Sequence, residues 1–356
     1  MYCYVVPQQA TRGTATTTMT TTTTIPGFLL AIGLALGGCA DTSDTFASEI
    51  EGDEVQEPEA EPEPATGTSE FVCDAVDILF VVDNSPSMED EQQNLVEAVP
   101  GFVEAMRAAF PEIKSVHIGV VDTDAYPSMG TQLDAPFASC PEDADCGACD
   151  YTLGALVDKP HSGSAGGSCE FSTGARFMDA DSPNFEAEFA CAVTVGTEGN
   201  PVERQAGALL AAVSPGLSGV GQCNEGFLRE DARLVTVMVS DEDDDHRAAP
   251  GPVGGSLGEP TEWHEALVRA KGGNAHDIIA LGLLGGAPKF EDCAELSVGN
   301  EGAELSPRLS SLLQRFDQGF IGSVCGSDYE DFFVQALDAV ADSCIAHTVT
   351  LQPAAP

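Results

Sequence analysis

Apolar residues are spaced in two alternating ways along this chain. Short, mostly apolar runs recur at Ile78 to Val82, Ser115 to Val121, Leu234 to Val239, His276 to Leu284 and Gly319 to Val324. Such runs suit strands covered on both faces. Between them, apolar positions recur every three or four residues, as helices require. From Glu89 to Phe110, the residues Leu95, Val96, Val99, Val103, Met106 and Phe110 share one face, and Pro100 is expected to kink the helix or split it. Further helices are expected at Phe185 to Val193, Val202 to Val213, Thr261 to Lys271, Glu304 to Phe316 and Tyr329 to Cys344. Strands that alternate with helices predict an α/β fold: a doubly wound, mainly parallel central sheet flanked by helices. One stretch breaks the alternation. From about Tyr126 to Pro183 the chain is rich in Gly, Ser and Cys, with a short strand at Arg176 to Met178, and reads as a Cys-rich loop insertion.

Residues 71–347 are therefore the expected folded domain, followed by a tail at 348–356. The segments before it differ in kind. Met1 to Thr24 is Thr-rich and of low complexity, with Met19 as an alternative start. Ile25 to Leu36 is apolar but too short for a comfortable membrane span, and reads as the core of a secretory signal. It closes on Leu36-Gly37-Gly38-Cys39, which resembles a bacterial lipobox and implies a lipid on Cys39; an ordinary cleaved signal is the alternative. Residues 1–39 thus form a leader. Residues 40–70, with Glu57-Pro58-Glu59-Ala60-Glu61-Pro62-Glu63-Pro64, repel themselves and bury little, which predicts a disordered acidic tether. The expected location is the bacterial cell envelope, with membrane contact through a lipid anchor only.

The chemistry gathers at the end of the first buried strand. Asp83, Ser85 and Ser87 are spaced two apart across a turn with Asn84 and Pro86, so one carboxylate and two hydroxyls can converge. Oxygen ligands suit a hard divalent cation, Mg²⁺ first, with Mn²⁺ or Ca²⁺ as alternatives. Asp83-x-Ser85-x-Ser87 after an apolar strand resembles the metal-ion-dependent adhesion site of von Willebrand factor A domains. That resemblance implies two further ligands, a Thr from a second loop and an Asp after a later strand. Thr197 in Val195-Gly196-Thr197-Glu198-Gly199 and Asp241 after Leu234 to Val239 match them. Asn224 to Arg229 and Ser240 to Asp244 resemble a subgroup of such domains found in bacterial envelope lipoproteins. The resemblance implies a protein-binding or adhesion module that takes an acidic group of a partner through the cation. The run that continues into Asp243, Asp244 and Asp245 is a candidate for a second cation.

Charge and cysteine content narrow the partners. With 58 acidic against 14 basic residues the formal charge is −44, which argues against nucleic acid. Of twelve cysteines, setting aside Cys3 and Cys39 leaves Cys73, Cys140, Cys146, Cys149, Cys169, Cys191, Cys223, Cys293, Cys325 and Cys344. An even set in an exported chain reads as disulfides, with Cys73 or Cys325 expected to pair with Cys344 near the domain's ends. The rival is a zinc site from Cys140, Cys146, Cys149 and Cys169. No hydrolase, zinc-protease, phosphate-loop or dinucleotide motif is present, and Ser85 and Ser87 read as ligands, with His246 as a loop residue. The expectation is a binding protein and not an enzyme. The alternatives are a cation- and disulfide-stabilised structural envelope protein and, behind it, a metal-dependent hydrolase.

Overall fold

The computed structural model describes residues 67–71, 73–123, 147–159, 168–197, 199, 203–244, 255–286, 288–291, 293–296 and 302–349. The leader with Cys3 and Cys39, residues 40–66 of the expected tether, Cys140, Cys146, Asp245 and His246 lie outside the described residues, while the tether's last residues, 67–70, belong to a strand.

The strands are β1 (Gly67–Phe71), β2 (Ala75–Val82), β3 (Ser115–Asp122), β4 (Met178–Asp179), β5 (Arg233–Ser240), β6 (Ile278–Leu284), β7 (Phe320–Ser323) and β8 (Ile345–Val349). The helices are α1 (Glu89–Ala109), α2 (Phe185–Val193), α3 (Gln205–Ala212), α4 (Pro215–Ser218), α5 (Pro260–Ala270), α6 (Pro307–Leu313) and α7 (Glu330–Ser343). Six strands form one sheet in the order β4-β3-β2-β5-β6-β7, parallel except for β4. This is the expected α/β architecture. The ladders finish level, with Val82 beside Asp122 and Val239, and Ser240 beside Leu284. Residues 83, 123, 241 and 285 therefore leave the sheet at one rim. The chain steps from β2 to β3 on one side and returns as β5 on the other, which makes the end of β2 a switch point where open α/β sheets bind ligands.

The core shows why β2 reads as unbroken apolar sequence. Val76, Ile78, Phe80 and Val82 face a layer with α1, α2 and α7, while Leu79 and Val81 face α3, α5 and α6. Phe80 is wedged among Phe102, Phe189 and Phe333 at centroid distances of 5.7, 5.0 and 6.2 Å. Pro100 neither ends nor divides α1, which runs through it for 21 residues. Burial of Leu95, Val99, Phe102, Val103 and Met106 along that helix holds it together across the missing hydrogen bond.

Several elements differ from the expectation for local reasons. The helix expected from Glu304 starts at Pro307, because Asp243 accepts the N–H groups of Arg308 and Leu309 at 3.1 and 3.0 Å and caps it there. The helix expected from Val202 is described from Gln205, where Asp244 accepts the Ala206 N–H at 2.8 Å. The short strand is displaced to Met178–Asp179 and pairs antiparallel with β3. The pair β1·β8 is unforeseen. It runs antiparallel from Gly67 opposite Val349 to Phe71 opposite Ile345 and starts four residues before the expected domain edge. No helix among the described residues is long and apolar enough to cross a membrane.

Four disulfides are described: Cys73–Cys344, Cys149–Cys223, Cys169–Cys191 and Cys293–Cys325. Cys344 takes Cys73, at the foot of β1·β8, and Cys325 takes Cys293 instead. Cys149 and Cys169 sit in separate disulfides, which overturns the four-cysteine zinc alternative.

Candidate metal centre

The loop after β2 is shaped by its own polar groups. The Asp83 N–H still pairs with the Val239 carbonyl at 3.0 Å, as if the strand continued. Its carboxylate then turns back: one oxygen accepts the Ser85 N–H at 2.8 Å and the other accepts the Ser240 hydroxyl at 2.6 Å. Ser85 and Ser87 bring their hydroxyl oxygens to 3.1 Å of each other. Asp83 and Ser85 are fully buried and Ser87 is nearly so.

The second loop is fastened to the first by a residue that the sequence reading passed over. Gln92, in the first turn of α1, donates to the carbonyls of Asp83 at 2.9 Å and Gly196 at 2.6 Å. Its side-chain oxygen accepts the Gly196 N–H at 3.1 Å. The Gly199 N–H bonds to the Asn84 carbonyl at 2.8 Å, and a Cβ at Gly199 would lie 2.3 Å from the Asn84 side chain. Thr197, half-buried, is therefore held in a segment laid against the Asp83–Ser87 loop. Thr123, at the end of β3, donates to Asn84 and bonds with Glu203, a buried acid also absent from the sequence reading.

Asp241 completes the group from β5. It is fully buried; no donor meets either carboxylate oxygen in full hydrogen-bond geometry, and the Ser87 hydroxyl is the side-chain donor beside it. Burial first, and the neighbouring Asp83 second, push it up to about 7, while Ser87 works against them. Burial also raises Asp83, against hydrogen bonds from Ser240 and Ser85. Around them, Glu242 is pushed up to about 8 by burial and by Asp83, Asp241 and Glu304. Glu91 is pushed up to about 9 by burial and then by Asp90 and Asp241. None of these four acids has a Lys or Arg among its leading influences.

Two of the run of acids have other tasks. Asp243 caps α6, as above. Asp244 accepts Ser256 N–H and hydroxyl at 2.6 Å each, besides Ala206 N–H. Their oxygens are taken up by backbone and hydroxyl donors, so the second-cation expectation finds no open carboxylate at these two residues. Asp245 lies outside the described residues.

A divalent cation fits the remaining set on its chemistry: two carboxylates and three hydroxyls, all oxygen. Asp241 in particular buries a carboxylate that Ser87 and the backbone only partly compensate, which is costly unless a proton or cation joins it. Among the described residues, no three His, Cys, Asp or Glu side chains group as metal ligands, and the candidate set contributes only two such side chains, Asp83 and Asp241.

No protein-family model and no curated protein matches the sequence. Solved structures similar to it include proximal thread matrix protein 1 from the mussel byssus, at 11% identity and a TM-score of 0.35 over 80% of this chain. A von Willebrand factor type A structure from Catenulispora acidiphila shows 11% identity and a TM-score of 0.35 over 78%. The chain spans about half the length of each, 50% in both cases.

Proposed function

We propose that this domain is a cation-dependent binding module that takes an acidic group of a protein partner. Asp83, Ser85, Ser87, Thr197 and Asp241 would hold the cation, with Mg²⁺ the best match to an all-oxygen set. Bound there, a divalent cation supplies positive charge at a rim that otherwise repels acids. The chain's own part is positional. Gln92 fixes the two loops to each other, Ser240 orients Asp83, and burial keeps competing water away. Asp241 carries the reading, as a fully buried carboxylate beside Asp83 with no Lys or Arg among its leading influences. Ser85 and Ser87 contact each other and lie beside the Asp83 and Asp241 carboxylates, an all-oxygen cluster that favours the reading of both hydroxyls as ligands. In this reading the chain is exported, lipidated at Cys39 and held off the membrane by the acidic tether.

The test is calorimetric titration of the full chain with Mg²⁺, Mn²⁺ and Ca²⁺ after EDTA, beside Asp83→Ala. Saturable one-site binding lost in the variant is the expected result. No binding, or equal binding in the variant, overturns the proposal. The wild-type chain, immobilised with Mg²⁺, should then retain proteins that EDTA releases and that immobilised Asp83→Ala does not retain.

A further inference from the structure

The disulfide Cys293–Cys325 lies at the same rim as the candidate cation site, and the bonds leading away from it reach both halves of that site. On one side, the Ala294 carbonyl next to Cys293 accepts the Ala303 N–H at 3.1 Å, and Glu295 and Ala303 form a parallel bridge. The next residue, Glu304, donates its N–H to the Asp241 carbonyl at 2.7 Å. That approach requires glycine at 285, where a Cβ would stand 1.8 Å from the Glu304 carbonyl oxygen. Lys289 adds a bond from its ammonium to the Ala303 carbonyl at 2.5 Å. On the other side, the Gly326 carbonyl next to Cys325 accepts the Asn94 side-chain amide at 3.3 Å. Val324 bonds to Leu284 through its N–H at 3.1 Å, and Tyr329 donates to the Val324 carbonyl at 2.6 Å. Asn94 belongs to α1, the helix that starts just after Ser87 and carries Gln92.

These contacts form a ring. It passes from Asp241 through Glu304, Ala303 and Ala294 to Cys293, across the disulfide to Cys325 and Gly326, and through Asn94 and Gln92 back to Asp83. We infer that Cys293–Cys325 is a positioning element of the cation site: besides the direct β2–β5 bonds at Asp83, it is the disulfide that braces the Glu304–Asp241 contact against α1. The inference rests on the cation reading for its consequence, but its structural content concerns the Glu304–Asp241 contact. Cys149–Cys223 offers a contrast. It ties the insertion to the loop after α4, and the described hydrogen bonds of its two cysteines and of Asn224 reach none of the five candidate ligands.

The test compares the oxidised full chain with Cys293→Ser/Cys325→Ser and with Cys149→Ser/Cys223→Ser. The first readout is hydrogen exchange at the Glu304 amide in EDTA. Exchange about tenfold faster in the first variant, and unchanged in the second, is expected if one hydrogen bond is loosened. The second readout is the Mg²⁺ dissociation constant, expected to rise about tenfold in the first variant and less than about twofold in the second. Unchanged Glu304 exchange, equal changes in both variants, or unaltered Mg²⁺ affinity beside a loosened Glu304 would each overturn the inference. If wild type binds no Mg²⁺, the cation reading fails, and the Glu304 exchange still decides whether the disulfide positions this contact. Gly285→Ala, which keeps all cysteines and displaces Glu304, guards against a variant that fails to fold. It should speed the same amide, and slow exchange there would also overturn the inference.

Discussion

Replacing Asp241 by Asn should change the sign of its effect with the cation. In EDTA at pH 8 the wild-type domain must hold a buried carboxylate with no Lys or Arg among its leading influences. Burial and Asp83 move that group from 3.8 to about 7. At 1.36 kcal/mol per unit, keeping it ionised above pH 7 costs the folded state about 4 kcal/mol. Asn removes the charge but leaves a buried amide unpaired, which costs ~1–3 kcal/mol. The net gain is then about 1–3 kcal/mol, or roughly 2–10 °C in melting temperature for a domain of this size. Added Mg²⁺ reverses the order. At a thousand times its dissociation constant it stabilises wild type by about 4.1 kcal/mol, and the variant by nothing.

The pH dependence follows from the same shift. Between 3.8 and about 7 the folded state holds a proton on Asp241 that the unfolded chain has released. Stability contributed by this group is therefore present at low pH and lost as pH rises through that window. Metal-free wild type should melt lower at pH 8 than at pH 5, and the variant should lose about 1.4 kcal/mol less per pH unit across the window. Calorimetric melts of the oxidised protein at both pH values, in EDTA and through a Mg²⁺ titration, read all of this. A variant less stable than wild type in EDTA at pH 8, or one that Mg²⁺ stabilises as much, would refute the reasoning.

Three further outcomes are expected. Arg229→Met strands Asp77, a fully buried acid now bonded by the Arg229 N–H and Nε at 2.7 Å each, and should cost ~3–5 kcal/mol at pH 8. Asp77 already stands near 6 through burial, so its carboxyl takes a proton toward pH 5 and the deficit should shrink there; equal deficits in melts at pH 5 and pH 8 would contradict this. Gln92→Ala removes the bonds that join the Asp83 and Gly196 backbones, and should cost ~1–3 kcal/mol in urea unfolding while also weakening Mg²⁺ binding. Unaltered affinity would show that the two loops need no clamp. Cys73→Ala/Cys344→Ala opens a bridge across 271 residues and should lower stability by up to about 5 kcal/mol, read by denaturant melts, with Mg²⁺ affinity unchanged in the folded protein.

The strands were legible because burial on both faces leaves little room for polar residues, and the long helices because one apolar face repeats. Strand neighbours were not, since crossover helices rather than local sequence decide which parallel strands meet. The pair β1·β8 was missed because Gly67-Thr68-Ser69-Glu70-Phe71 and Ile345-Ala346-His347-Thr348-Val349 share no alternation and lie at opposite ends of the domain. At the site, motif spacing pointed to Asp83, Ser85 and Ser87, while the capping tasks of Asp243 and Asp244 were not legible. A run of carboxylates does not reveal that two of them face the first N–H groups of α6 and α3. Gln92 did leave a signal. It is in register with Met88, Leu95, Val99, Phe102 and Met106 on the buried face of α1, where a lone amide implies backbone partners. Glu203 precedes its helix and left none.

How the chain's few cations are distributed bears on the rim. With 14 basic residues against 58 acids, most carboxylates must rely on solvent. Some acids enclosed for the fold's sake are held by hydrogen bonds alone, as Asp243 and Glu188 are, and others have a cation beside them. Asp77 has Arg229 and, farther off, Lys271. Burial would raise Asp150, but Lys159 and Arg176 more than reverse that and hold it at about 2. Asp244 has Arg308. At the rim, Asp83, Asp241, half-buried Glu242 and Glu91 are raised by burial, with hydroxyl and backbone donors on Asp83 and Asp241 and neighbouring acids, not Lys or Arg, as the charged influences. Packing alone would favour neutral side chains at those four positions, since a buried unpaired carboxylate is destabilising where an apolar or amide group is not. Electrostatic cost concentrated at one strand-end rim, and offset elsewhere, is the pattern expected of a site shaped for a positive ligand that the chain itself does not supply.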